Sequence, residues 1–151
     1  MTKDVLISIE GIQFGDIPDS DKIEVITPGS YYKKQDHHFV MYDEVTEGSD
    51  EVTKNLIKFK DDTFTLTKRG YTNVDMVFEK NKRNMTNYVT PFGSLLVGID
   101  ADKVNIDEKD DLIDIDIAYA LDINYEHFAD CTIKMSIRPN TEGTISKIIC
   151  D

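Results

Sequence analysis

Leu112–Asn124 reads LIDIDIAYALDIN. Ile113, Ile115, Ile117, Tyr119, Leu121 and Ile123 share one parity, and Asp114, Asp116, Ala118, Ala120 and Asp122 share the other. Period two held over this length does not fit a helix; it is the signature of a strand with one apolar face. The rhythm recurs on both sides. Downstream, Asn124-Tyr125-Glu126 turns the chain into His127–Arg138, where Cys131, Ile133, Met135 and Ile137 face inward until Pro139 ends the run. Upstream lie strands over Leu95–Ile106, with Gly98 inside it, Arg83–Thr90 and Thr72–Glu79, the last with Val74, Met76 and Phe78 on one face. Before them come Thr63–Arg69, Glu51–Lys60, His38–Thr46, Lys22–Lys34 and residues 4–14.

The connections carry turn chemistry: Gln35-Asp36, Asp61-Asp62, Lys80-Asn81 and Pro91-Phe92-Gly93, with a longer loop over Phe14–Asp21. Pro28-Gly29 inside a strand-like segment predicts a bulge or bend. About ten strands with short connections and almost no helix signal read as an all-β antiparallel meander. Apolar residues on a single parity suit a sheet closed into a barrel, which also removes exposed edges; a sandwich is the alternative. Residues 1–139 form the barrel domain. In the tail 140–151, Ile145, Ile148 and Ile149 are spaced as on one helical turn, so a short helix and a docked extension both remain open.

The chain has 151 residues, 40% apolar and 30% charged, which is a globular composition of single-domain size. Lys plus Arg number 17 against 29 Asp plus Glu, a net charge of −12. Such a surface repels phosphate backbones and anionic membrane faces, so neither nucleic acid nor membrane is expected as a partner. The N-terminus MTKDVLISIEG is no signal peptide, and no apolar run is long enough to cross a bilayer. Cys131 and Cys150 lie far apart in sequence and Cys131 belongs to an inward-facing run. A buried thiol and a cytoplasmic location are the expectation.

The runs TLTKRG, MVFEKNKR and YVTPFGSLLVGI occur in this order at close spacing, preceded by GSYYKK and VMYDE. Together they resemble the YwiB-like family of small bacterial proteins of unknown function. The resemblance covers roughly Val5 to Arg138 and is most specific over Lys68–Gly98. Phe92 stands where the family pattern leads one to expect Tyr, and Pro28 where it leads one to expect a polar residue. The resemblance implies a lipocalin-like, calycin-type barrel. It brings no activity, and no catalytic residue can be carried over from it.

No catalytic constellation can be assembled from the residues themselves. Ser94 sits in PFGSLLVG and not in a nucleophile elbow. His37 and His38 are adjacent, so on a strand they point to opposite faces and cannot share a metal ion. The acidic run Asp100–Asp116 lacks the glycine and terminal Glu of a calcium loop. No phosphate loop or dinucleotide fingerprint exists, so no cofactor is expected.

What remains is a set of polar residues on the inward parity. Lys68 shares the parity of Phe64 and Leu66, which aims its ammonium into the barrel or its mouth. Tyr42 and Glu44 share the parity of Val40, whereas Phe39, Met41 and Val45 argue for the other face. The direction of Tyr88 and Thr90 is open. A buried charge needs a partner, which Glu44 could supply to Lys68 or Arg83 across the barrel.

Lys68, Tyr88, Tyr42, Glu44 and Arg83 are therefore the candidate ligand-binding residues. The corresponding function is a non-catalytic barrel holding a small, partly apolar, anionic ligand. The alternative is a structural or interaction module that meets a protein partner through its acidic outer face, including Asp114, Asp116 and Asp122.

Overall fold

The computed structural model describes residues 3–11, 24–45, 48 and 50–140, and among these the alternation becomes ten strands and no helix. They are β1 (Asp4–Glu10), β2 (Glu24–Lys34), β3 (His37–Val45), β4 (Val52–Lys60) and β5 (Thr63–Arg69). The second half holds β6 (Val74–Glu79), β7 (Lys82–Thr90), β8 (Gly93–Glu108), β9 (Ile113–Ile123) and β10 (Glu126–Pro139). The loop expected at Phe14–Asp21, Cys150, and the tail beyond Asn140 lie outside the described residues.

All ten strands form one sheet in the order β6-β5-β4-β3-β2-β1-β10-β9-β8-β7, antiparallel throughout its ladders. The two strands that end this order, β6 and β7, are neighbours in the chain. They meet at a single bridge, where Asn73 and Val89 exchange two backbone hydrogen bonds of 2.9 Å each. The Asn84 amide nitrogen adds a bond of 3.3 Å to the Val77 carbonyl. The sheet is thus a nearly closed barrel with one thin seam.

Local chemistry explains how the chain turns. Gln35-Asp36 and Asn124-Tyr125 each carry positive φ at both residues (52° and 66°, 52° and 71°). That is the pair a two-residue hairpin needs to match the right-handed twist of its strands. Pro28-Gly29 makes no bulge, since the register with β1 runs unbroken through Leu6↔Pro28 and Val5↔Gly29. Instead β2 changes partner there, because its pairing with β3 begins only at Ser30. A Cβ on Gly29 would stand 2.6 Å from both the Met41 carbonyl oxygen and Ile7 Cδ1, so the hand-over needs a residue without a side chain.

Two bulges do occur, both against β9: one between Ala101 and Lys103 of β8, the other between His127 and Ala129 of β10. The first matters most. Val97, Ile99 and Ala101 point inward on odd numbers; past the extra residue Asp102, buried Val104 and half-buried Ile106 point inward on even numbers. Glu108 comes next on that parity.

The interior is occupied by side chains. Val5, Ile7, Val40, Ile57, Phe59, Phe64, Leu66, Met76, Phe78, Val97, Ile99, Ile117 and Ile137 have no exposed surface. A chain of rings crosses the barrel, each spaced as aromatic pairs favour. His38 stacks on Phe59 at 4.6 Å, Phe59 lies 6.3 Å from Phe64, Phe64 meets Phe78 edge-on at 5.7 Å, and Phe78 meets Tyr119 edge-on at 5.0 Å.

Candidate functional site

The barrel has polar side chains at both ends. At one end the C-terminal half of β3, the start of β4 and the end of β5 lie in register, with Tyr42 opposite Asn55 and Asn55 opposite Lys68. Even-numbered residues of β3 face inward, so Tyr42 and Glu44 join Lys68. The Lys68 ammonium donates to Glu44 Oε1 at 2.8 Å and to Asn55 Oδ1 at 3.0 Å. Asn55 Nδ2 donates back to Glu44 Oε1 at 3.3 Å. Lys68 and Asn55 are buried, while the Glu44 side chain is half exposed.

Tyr88 also lies on the inward side of β7, with Met85 and Val89 outside. Burial and the neighbouring Glu44 carboxylate push the Tyr42 phenol well above its ordinary range. Burial raises Tyr88 in the same direction, opposed by a hydrogen bond with Thr72 and reinforced by Glu44. Four of the five expected residues therefore come together, around an ammonium whose partners belong to the protein.

Arg83 does not join them. Odd-numbered residues of β7 face outward, and its guanidinium pairs with Asp122 on the outer face, not with Glu44. Asp122 also lies 3.8 Å from His127. The other two outer aspartates are likewise engaged: Asp114 accepts from the Ser136 hydroxyl at 2.8 Å, and Asp116 pairs with Lys103 at 3.0 Å.

The opposite end holds a group that the sequence does not single out. Tyr31 Oη lies 2.7 Å from His38 Nδ1, and His38 Nε2 lies 3.2 Å from Glu108 Oε1. A carboxylate only accepts, so Nε2 carries the imidazole proton and Nδ1 accepts from the Tyr31 hydroxyl. Lys33 Nζ approaches the second Glu108 oxygen at 3.5 Å. Tyr31 and His38 are buried and Glu108 is half exposed. Burial lowers the His38 pKa, and the Lys33 and His37 charges add to this, while Glu108 pulls it upward. Burial, with Glu108 second, raises the Tyr31 phenol, which therefore stays protonated and offers a hydrogen bond rather than an oxyanion.

Beside this chain opens a cleft of about 840 Å³, where β2 runs past the start of β1 and the β8–β9 turn folds across. Its cations are Lys3, Lys33 and Lys109; its apolar walls are Tyr31, Tyr32, Met41 and Ile113; Glu108 and Asp110 are its acids. The signal in the sequence is the parity change between Ala101 and Val104. Traced along β8, it turns Glu108 inward, on the same side as His38, which shares the parity of Val40.

Comparisons with known proteins agree with the fold. Residues 7–135 match the family described as a domain of unknown function (DUF1934). No curated protein matches the chain. Among solved structures, the crystal structure of the ywiB protein from Bacillus subtilis is similar, with a TM-score of 0.73, 19% identity and 91% of each chain covered. At that identity the likeness concerns the fold. It accords with the kinship read from TLTKRG, MVFEKNKR and YVTPFGSLLVGI.

Proposed function

The chain belongs to the DUF1934 family, and from that premise we propose that it is a non-catalytic, lipocalin-like binding barrel for a small, partly apolar anion. The ligand sits in the cleft beside Tyr31 and Lys33, not deep in the barrel. One observation carries this reading: in a chain of net charge −12, three lysines against two acids line a single cleft walled by two tyrosines, a methionine and an isoleucine, with Lys33 beside Glu108 and Lys109 beside Asp107 at half-exposed positions where both can turn to an anion. Cations over apolar walls suit an anion with an apolar body. The middle of the barrel is taken up by the ring chain, and Lys68 is held by Glu44 and Asn55, which favours a structural role for that end.

A cytoplasmic location belongs to the same reading and is supported by a composition of only two cysteines, far apart in the sequence. The net charge argues against nucleic acid and anionic membranes as partners. A protein partner on the acidic face is the weaker alternative, since Asp114, Asp116 and Asp122 each have a partner within the chain.

The test is NMR shift mapping with 2-naphthalenesulfonate as a probe anion. Saturable shifts at Tyr31, Lys33, Met41 and Ile113, lost in a Lys33→Glu/Lys109→Glu variant, support the reading. Shifts centred on Lys68 and Tyr88 would move the site to the other end. Absence of saturable shifts overturns it.

A further inference from the structure

We propose that the cleft takes its anion together with a proton, which His38 holds between Tyr31 and Glu108. The inference rests on reading the cleft as an anion site. Glu108 is shared: one oxygen faces His38 Nε2 at 3.2 Å and the other faces Lys33 Nζ at 3.5 Å. Lys33 is half exposed and lines the cleft, so its ammonium can turn to an incoming anion without leaving the surface.

The groups that act on the His38 ring set its charge. From β2 they are Tyr31 and Lys33 and from β8 Glu108, while His37 of its own strand acts from the opposite face. From β4 the stacked Phe59 ring carries no charge. In the empty cleft, burial and, to a lesser degree, the Lys33 charge disfavour the imidazolium, against the pull of Glu108. An anion bound to Lys33 offsets the positive charge that opposes protonation. It also leaves Glu108 with His38 as its remaining cationic partner. Both changes favour the imidazolium.

On protonation both ring nitrogens become donors. Nε2–H stays with Glu108, Nδ1–H now donates to the Tyr31 oxygen, and the phenol hydrogen is released from the imidazole. The Tyr31 hydroxyl thereby changes from a donor committed inward to a donor free for the anion. Because coupling is reciprocal, the proton tightens anion binding by the same factor by which the anion tightens proton binding.

The test uses the wild-type protein and 2-naphthalenesulfonate, which stays anionic throughout. Calorimetric titrations at about pH 6 and about pH 8, in buffers of different ionisation enthalpy, read affinity and proton uptake across the range where histidine titrates. NMR reads the His38 ring against pH with and without the probe, which needs no variant. We expect binding about tenfold tighter at the lower pH, net proton uptake, and His38 titrating at higher pH when the probe is bound. His38→Gln, which can still bridge Tyr31 and Glu108, should bind with no uptake and no pH dependence. Saturable, Lys33-dependent binding without uptake and without a His38 shift overturns the proton linkage and leaves the anion site standing. No binding at either pH overturns both.

Discussion

At the scale of the residue, Lys68 is where the sequence points most clearly, and its ammonium is held by Glu44 and Asn55. Its parity is legible because β5 is short and alternates without interruption. Its partners are half legible: Glu44 can be anticipated from its parity, but Asn55 cannot, since an asparagine between Lys54 and Leu56 carries no signal of its own. Loss of the ammonium leaves Asn55 Oδ1 buried without this donor, while Glu44 is half exposed and can turn to water. Lys68→Met should therefore cost about 1–3 kcal/mol, the penalty of an unmet buried acceptor. Asn55→Leu added to it should return part of that loss, because no buried amide then remains. Urea midpoints measure both. A Lys68→Met protein more stable than the wild type would mean that the ammonium is kept at a cost to stability, which is the mark of a functional group.

At the scale of the element, strand existence is legible nearly throughout, because period two survives local irregularity. Facing is harder. On β3 the apolar residues Phe39, Met41 and Val45 draw attention to the wrong side. Phe39 is in fact stacked on Tyr32 at 4.7 Å outside the barrel, with the Lys58 ammonium 5.6 Å from its ring centre. On β8 the bulge is the decisive feature. Asp102 is the extra residue, for Ala101 pairs with Tyr119 and Lys103 with Ala118. Two deletions separate its role from that of the strand. Deleting Asp102 leaves Ala101, Val104, Ile106 and Glu108 in regular inward alternation, so the protein should fold with a loss under about 1 kcal/mol, the cost falling on local twist. Deleting Asn105 turns Ile106 outward and Asp107 inward, takes Glu108 from His38, and should cost about 2–4 kcal/mol. Denaturant midpoints compare the two. Equal losses would mean that β8 re-forms its bulge wherever it is needed, and that the parity change is not tied to Asp102.

At the scale of the whole molecule, the cleft escapes sequence reading because it joins residues far apart in the chain, whereas the seam escapes it because β6 and β7, neighbours in the chain, look like an ordinary hairpin at Lys80-Asn81. The meander predicts each strand's neighbours, but not how firmly the first and last strands in the order are held. The ladder between β9 and β10 runs from Ile123↔Glu126 to Ile113↔Ile137, whereas β6 and β7 share one bridge. Opening that bridge breaks the paired bonds of Asn73 and Val89 and the side-chain bond of Asn84, while every ladder stays intact. The barrel should therefore open locally at this seam far more often than it unfolds. Native-state hydrogen exchange reads the difference. The amides of Asn73 and Val89 should exchange through small openings that denaturant hardly promotes, and those of Ile117 and Tyr119 in β9 only through global unfolding. Asn84→Ala should quicken the first pair and leave the second pair's rates to track global stability. The bridge lies beside Tyr88 and Thr72, at the Lys68 end, so an anion in the cleft at the other end should slow exchange near Tyr31 and Met41 without protecting the seam. If Asn73 and Val89 instead exchange at the rate of Ile117, the ring opens only as a whole and the seam is as strong as any ladder.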